Sequence, residues 1–147
     1  MRRAALLLAL LAPAPAQAAT CPVERGAERF GAAVTTSGGE RTVATRVVVC
    51  DFRTGSVRTI ARARATTLQH TSSLERRARG RVLWDASAAG RRVAWVEGTS
   101  GRRRGTSRLV VADARTGRIR SRRVIWRHAP RTLPVLRVAV SAAGDLA

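Results

Sequence analysis

The chain has 147 residues, of which 28 are basic and 9 acidic, so its formal net charge is +19 at pH 7. All of the basic residues are arginine, and lysine, asparagine and tyrosine are absent. The absence of lysine excludes a Walker phosphate loop and a Schiff-base enzyme, and the length is that of one modest domain.

The N-terminus has the layout of a secretory signal peptide. Two arginines precede an unbroken run of alanine and leucine over residues 4–12, and a small, proline-rich stretch ends in Ala16-Gln17-Ala18, which fits a cleavage site. The apolar run is shorter than the ~20 residues that span a bilayer. We therefore expect residues 1–18 to be a signal peptide, and the product to be secreted or held in the periplasm or cell envelope without a membrane span.

Two cysteines follow the predicted cleavage site, Cys21 and Cys50. An even number of cysteines in an exported chain favours a disulfide, while two free thiols or an intermolecular link stay open. These two cysteines and the distant His70 and His128 lack metal-ligand spacing, so the sequence predicts no metal site and no cofactor.

The first half of the exported region reads as strands separated by turns. Short runs of valine, alanine and isoleucine alternate with polar residues, which is typical of half-buried strands. A polar stretch, residues 62–81, is then expected as an insert that forms a loop, a short helix over Leu68–Arg79 or a disordered segment. The predicted strands before the insert are Phe30–Thr35, Thr45–Phe52 and Ser56–Ala61.

The second half shows the same alternation of apolar and polar residues and begins with a predicted inner strand, Val82–Ala86. Turns are expected at 87–90 and at 113–117, where glycine supplies the permissive backbone position, and a polar hairpin tip at 98–105. The fold class predicted for the whole exported region is all-β. Its remaining strands are predicted over Arg92–Glu97, Arg108–Asp113, Arg118–Trp126 and Leu136–Ser141.

The chain repeats itself. The stretch "RVVVCDFRTGSVR" at 46–58 matches "RLVVADARTGRIR" at 108–120, which lies 62 residues later, and "SAAG" occurs at both 87–90 and 141–144. Internal repeats of this length indicate that one supersecondary unit is duplicated. Asp51 and Asp113 share one position of the repeat, which predicts a structural role in a turn. The predicted organisation of residues 19–147 is unit one at about 28–62, the insert at 62–81, unit two at about 82–127 and the start of unit three at about 134–147.

The stretch "SAAGRRVAW" followed by "RLVVADARTG" resembles the Ser-Pro-Asp-Gly-Lys-x-Ile-Ala-Phe and Leu-Tyr-Val-Val-Asp pattern of TolB-like (WD40-like) β-propeller repeats. Ala88 and Ala89 stand where that pattern has proline and aspartate. The resemblance implies antiparallel four-stranded blades. Since closed propellers have about 4–8 blades, it also implies a partial or truncated propeller. Open blade edges would then favour self-association or pairing with another chain.

No catalytic motif is present: the sequence has neither a Gly-x-Ser-x-Gly elbow nor a His-Glu-x-x-His helix. We expect an exported propeller-type module that binds or scaffolds an unknown protein or anionic surface, with no catalytic site in this chain. Two alternatives stay open. One is a basic protein that binds a polyanion, either an anionic cell-wall polymer or, less favoured because aromatic residues are few, nucleic acid. The other is the N-terminal fragment of a propeller enzyme.

The residues predicted to bind an anion are Arg102, Arg103 and Arg104 at the hairpin tip. They lie between Gly101 and Gly105, and a guanidinium suits bidentate recognition of phosphate or carboxylate. A bias of GC-rich codons towards arginine would explain the same cluster without a ligand.

Overall fold

The computed structural model describes residues 20–39, 41–70, 75–130, 132–134 and 136–141. The predicted signal peptide, residues 1–18, lies outside this part. Every regular element in the described residues is a β-strand, which confirms the all-β class. No helix among these residues has the length and apolar character needed to cross a bilayer.

Seven strands form one antiparallel meander in which each strand pairs with its neighbours along the chain, and an eighth short strand pairs with the start of the fourth. Each strand predicted before residue 130 overlaps one of the observed strands. The strands are β1 (Phe30–Gly38), β2 (Thr42–Asp51), β3 (Ser56–His70), β4 (Glu75–Ala89), β5 (Arg92–Ser100), β6 (Gly105–Asp113), β7 (Ile119–His128) and β8 (Thr132–Pro134).

The predicted insert at 62–81 is largely strand. β3 continues to His70 and β4 begins at Glu75, and the two pair from Ala65 opposite Gly80 to His70 opposite Arg76. The expectation of a loop or of a short helix over Leu68–Arg79 is therefore wrong. Polar side chains can stay on a strand whose backbone groups are paired, so composition alone is a poor guide here.

The sheet folds back on itself where β3 and β4 separate. Gly80 pairs with both Ala65 and Ser100, and beyond it β4 continues beside β5 alone. Its φ of 119° is a value that other residues rarely adopt, and a Cβ there would lie 2.7 Å from the carbonyl oxygen of Arg64. This position lets one half of the sheet (β1–β3) face the other half (β4–β7).

The main core lies between these two halves. Its largest fully buried side chains, Trp95, Leu83 and Val47, come from both of them, and burial of each apolar side chain contributes roughly 1.5–3 kcal/mol. A buried hydrogen bond also joins the halves, because the N–H of Leu83 donates to Oγ1 of Thr45 at 2.9 Å. Trp95 therefore packs in the main core.

A second core lies on the opposite face of the second half. Ala94, Val96 and Val138 are buried there, with Trp84 half-buried beside them. The N–H of Val138 donates to a carboxylate oxygen of Asp85 at 2.9 Å. The expected strand over residues 136–141 is absent, since only Val140 forms a bridge, but Leu136, Val138 and Val140 still pack against the second half.

The predicted disulfide is confirmed. Cys21 bonds to Cys50 at the end of β2, with a Cα–Cα distance of 6.0 Å, which is consistent with an oxidising environment. The bonded segment also packs on β1, because a Cβ at Gly31 would lie 2.8 Å from the ring of Phe52 and 3.2 Å from Val23. The disulfide thus holds the N-terminal segment over one end of the first half's outer face.

Reduction of this disulfide should lower the free energy of unfolding by about 3–4 kcal/mol, because it releases a loop closed by residues 29 apart in sequence. Urea denaturation of the oxidised and reduced protein measures the change. The double variant Cys21→Ser, Cys50→Ser should match the reduced wild type, and equal midpoints for the oxidised and reduced forms would contradict the prediction.

Candidate anion-binding cleft

The meander gives the fold two chemically different ends. Because successive strands run antiparallel, the connections β2–β3, β4–β5 and β6–β7 lie at one end, and the connections β1–β2, β3–β4 and β5–β6 at the other. We call the first the aspartate end, after Asp51 and Asp113, and the second the arginine end, after Arg64 and the tip residues Arg102–Arg104.

Asp51 organises the β2–β3 turn. Its Oδ1 accepts from the N–H of Arg53 at 3.0 Å, and its Oδ2 accepts from Nη2 of Arg29 at 2.7 Å. The hydrogen bond from Arg29 is the main reason that the pKa of Asp51 is lowered to about 2, and the same pairing raises the pKa of Arg29. The carboxylate is therefore a fixed anion that closes the turn.

Asp113 organises the β6–β7 turn in the same way as Asp51 organises the β2–β3 turn. Its Oδ1 accepts from the N–H groups of Arg115 and Thr116 at 3.0 and 2.9 Å, and its Oδ2 accepts from Arg91 and Arg120 at 3.2 and 2.9 Å. The pKa of Asp113 is lowered to about 2, chiefly by the N–H of Thr116. Both aspartates thus take the turn-forming role that the repeat predicted.

An open cleft of about 550 Å³ lies beside Asp113, with Arg91 and Arg120 in its lining. Both guanidiniums already bond to Oδ2 of Asp113. This cleft supplies its own counter-ion, so it has little need of an external anion.

The predicted site, Arg102–Arg104, is an exposed connection at the arginine end. The tip is shorter than the predicted 98–105, because β5 runs to Ser100 and β6 starts at Gly105, and the N–H of Gly101 donates to the carbonyl oxygen of Arg104 at 3.2 Å. Within the described residues, no hydrogen bond or ion pair engages the three side chains. None of the three lines the cleft beside Asp113 or the arginine-rich cleft on the first half of the sheet.

The arginine-rich concavity lies elsewhere, on the first half of the sheet near the arginine end. It has a volume of about 460 Å³, which is within the ~300–1,000 Å³ usual for ligand pockets. Among the described residues, no aspartate or glutamate contributes to its lining. We call it the arginine cleft, and its main residues are Arg46, Arg62, Arg64, Arg81, Ser37 and Ala44.

Strand register brings three of these arginines together. Arg46 on β2 lies directly opposite Arg62 on β3, and Ala44 lies opposite Arg64. Residues two apart on a strand share a face, so Arg62 and Arg64 point the same way, while the intervening Ala63 is buried in the main core. Arg46, Arg62 and Arg64 are exposed, and none of them has an ion-pair partner among the described residues.

Arg81 is held differently. Its Nη2 donates to the carbonyl oxygen of Arg62 at 2.6 Å, and its Nη1 lies 3.9 Å from a carboxylate oxygen of Glu97. Glu97 is buried and also lies 4.0 Å from Nη1 of Arg108. Arg81 therefore satisfies a carbonyl oxygen on the edge of β3 that no longer pairs with β4. Its guanidinium is held in place by this bond and adds positive charge at the cleft.

The arrangement is electrostatically unfavourable without a ligand. Like charges directly opposite each other on neighbouring strands destabilise a sheet, and Arg46 opposite Arg62 is such a pair. A bound anion would offset the repulsion and accept bidentate hydrogen bonds from the guanidiniums. The small side chains of Ser37 and Ala44 leave room for it.

Sequence reasoning missed this cleft, although a signal was available. Arg62 and Arg64 alternate within a strand, and folding the chain about the turn after Asp51 brings Arg46 opposite Arg62 once the register shift at Val47 is included. The shift is not visible in the sequence, and without it the partner of Arg62 changes.

Comparison with protein-family models, curated proteins and solved structures gives no match. In the part of the chain that the structure describes, no group of three or more histidine, cysteine, aspartate or glutamate side chains is placed to hold a metal ion. The charged groups in the described lining of the arginine cleft are therefore its arginines.

Arg46→Gln should raise the free energy of unfolding by roughly 0.2–1 kcal/mol at low salt, because it removes the repulsion between directly opposed charges. The gain should shrink as salt screens the pair. Arg53→Gln, in an exposed turn, is the matched control and should change stability by less than about 0.5 kcal/mol. Thermal unfolding at two salt concentrations measures both, and a loss of stability in Arg46→Gln would contradict the prediction.

The double variant Asp51→Asn, Asp113→Asn should be less stable than wild type at neutral pH and equally stable near pH 2. An aspartate titrates near 3.9 when unfolded and here at about 2, so its contribution is full above about pH 5 and is lost as the pH falls towards 2. Chemical denaturation across this range measures the difference between the two proteins. A difference that does not depend on pH would show that the carboxylates are not the source.

Proposed function

We propose that the chain is an exported binding module that holds an anionic ligand in the arginine cleft. The observation that carries the proposal is the direct opposition of Arg46 and Arg62, with Arg64 beside them, in a cleft whose described lining contains no carboxylate. Such an arrangement lowers stability unless an anion is bound, so a binding role accounts for it better than a packing role does.

The proposed ligand carries several negative charges. Three guanidiniums without an ion pair to any described residue, together with the anchored Arg81, suit a molecule or polymer segment with at least two phosphate, sulfate or carboxylate groups. The polyanion-binding alternative then applies to the cleft. The hairpin tip Arg102–Arg104 would contact only a polymer long enough to extend beyond the cleft.

Binding without catalysis is the simpler proposal for this cleft. Its lining consists of arginine, alanine, serine and threonine. A guanidinium stays protonated at any physiological pH and cannot act as a general base, and neither histidine nor a carboxylate lies in the lining to activate a nucleophile.

We also propose that the module consists of propeller-type units of the TolB-like kind. The support is a set of contacts that recurs with the repeat: Arg29 bonds to Asp51 as Arg91 does to Asp113. In both turns the glycine N–H also donates to the aspartate carbonyl at 2.8 Å, Gly55 in one and Gly117 in the other. The facing halves of the sheet, with the C-terminal segment on the next face, fit successive blades. Export is supported by the signal-like N-terminus and the disulfide.

The test compares two variants with the same change in net charge. The cleft variant is Arg46→Gln, Arg62→Gln, Arg64→Gln; the control variant is Arg25→Gln, Arg53→Gln, Arg115→Gln, whose arginines are exposed and lack ion pairs among the described residues. Calorimetry with a sulfated oligosaccharide and with a short polyphosphate should show a loss on the order of 100-fold for the cleft variant, at ~1 kcal/mol or more per charge-assisted contact.

The control variant should bind within a few-fold of wild type. Equal losses in both variants would mean that net charge alone attracts the probe, and the proposal would fail. A third variant with Arg102, Arg103 and Arg104 all changed to Gln tests the hairpin tip. If it loses affinity and the cleft variant does not, the site lies at the tip.

A further inference from the structure

A second surface, independent of the cleft, lies on the edge strand β7. Among the described strands β7 pairs with β6 alone, and every residue from Ile119 to Arg127 is exposed. Its exposed large apolar side chains are Ile119 (41%), Val124 (47%), Ile125 (49%) and Trp126 (47%). No other large apolar side chain of the described residues is this exposed.

Three of these residues are consecutive, and packing does not explain them. Side chains alternate between the two faces of a strand, so a run of three normally buries at least one. Here none is buried, and a register shift leaves Ile125 without a residue opposite it, since Val124 pairs with Arg108 and Trp126 with Ser107. Contiguous exposed apolar residues of this kind mark an interaction surface.

The same strand carries a dense positive charge. Arginines stand at 118, 120, 122, 123 and 127, and the sequence has no acidic residue from 114 to 130. Arg120 bonds to Asp113, whereas Arg122, Arg123 and Arg127 have no ion-pair partner among the described residues. The partner of this surface should therefore be both negatively charged and able to take up apolar side chains.

Strand addition by another chain is disfavoured. β7 departs from regular pairing at two places, between Ser107 and Arg108 and between Val111 and Ala112 of its neighbour. Irregular pairing and a row of charged side chains are the features that natural sheets use to block edge-to-edge pairing. A second copy of this chain would also bring a second row of arginines against the first.

We infer that the β7 rim, formed by Ile119, Arg122, Arg123, Val124, Ile125, Trp126 and Arg127, adsorbs to an anionic lipid bilayer. Tryptophan is favoured at the membrane–water interface, and isoleucine and valine gain free energy by leaving water. The arginines pair with lipid phosphates, and each contributes about 1 kcal/mol near an anionic surface. A hydrated polymer would satisfy the arginines but leave the apolar side chains in water.

Trp126 provides a direct reporter of this contact. Trp95 is 1% exposed and Trp84 is half-buried, so Trp126 is the tryptophan whose surroundings a bilayer would change most. Mixed phosphatidylglycerol–phosphatidylcholine vesicles should shift the tryptophan emission to the blue and carry the full-length exported protein into the pellet. Vesicles of phosphatidylcholine alone should do neither, and high salt should weaken the binding.

Two variants separate charge from apolar insertion. Arg122→Gln, Arg123→Gln, Arg127→Gln should weaken partitioning on the order of 100-fold, and Ile125→Ser should weaken it several-fold while keeping the reporter. All four side chains are exposed, so circular dichroism should show folded proteins. The control Arg25→Gln, Arg53→Gln, Arg115→Gln should partition like wild type.

The arginine-cleft variant distinguishes this inference from the proposed function, because it should keep its vesicle binding while losing the soluble anion. Loss of vesicle binding in that variant would place the lipid headgroup in the cleft and overturn the inference. Two other results would also overturn it: equal binding to phosphatidylcholine vesicles, or a protein dimer seen by light scattering that disappears when Ile125 and Trp126 are replaced by serine.

Discussion

The separation of β3 from β4 at Gly80 is the constraint on which the rest of the structure depends. Because β4 leaves β3 there, one half of the meander can face the other and bury Trp95 between them. The same separation frees the carbonyl oxygen of Arg62, which Arg81 then bonds at 2.6 Å. It also brings Arg81 of β4 beside Arg62 and Arg64 in the lining of the arginine cleft. One backbone position thus shapes both the core and the candidate site.

Much of the fold could be predicted because the patterns that form its strands and turns lie within short stretches of the sequence. Alternating valines and alanines mark strands, and an aspartate followed by Arg-Thr-Gly closes a turn through contacts within three residues of Asp113. The repeat predicts the strand–turn–strand unit of residues 46–58 a second time at 108–120. The disulfide followed from the cysteine count and the expected oxidising compartment, and the structure bears it out between Cys21 and Cys50.

What could not be predicted depends on register and on long-range pairing. The end of β3, Thr66–His70, has no alternating apolar pattern, so its strand character comes from backbone pairing with β4. The arginine cleft depends on a register shift at Val47 that sets Arg46 opposite Arg62. By contrast, Arg102–Arg104 stood out because they are consecutive, yet they lie on an exposed tip and none of them lines the arginine cleft.

The arginines fall into two groups according to where they lie and whether a carboxylate pairs with them. A codon bias would explain why arginine is common, but it would not select which arginines pair with a carboxylate. At the aspartate end, Arg29, Arg91 and Arg120 bond to two aspartates that are charged at every physiological pH. The arginines without an ion-pair partner among the described residues gather instead in the arginine cleft, at Arg46, Arg62 and Arg64, and on β7, at Arg122, Arg123 and Arg127. Scattered surplus charge would lower its energy by spreading out, so two separate concentrations of unpaired arginine argue for anionic partners at both.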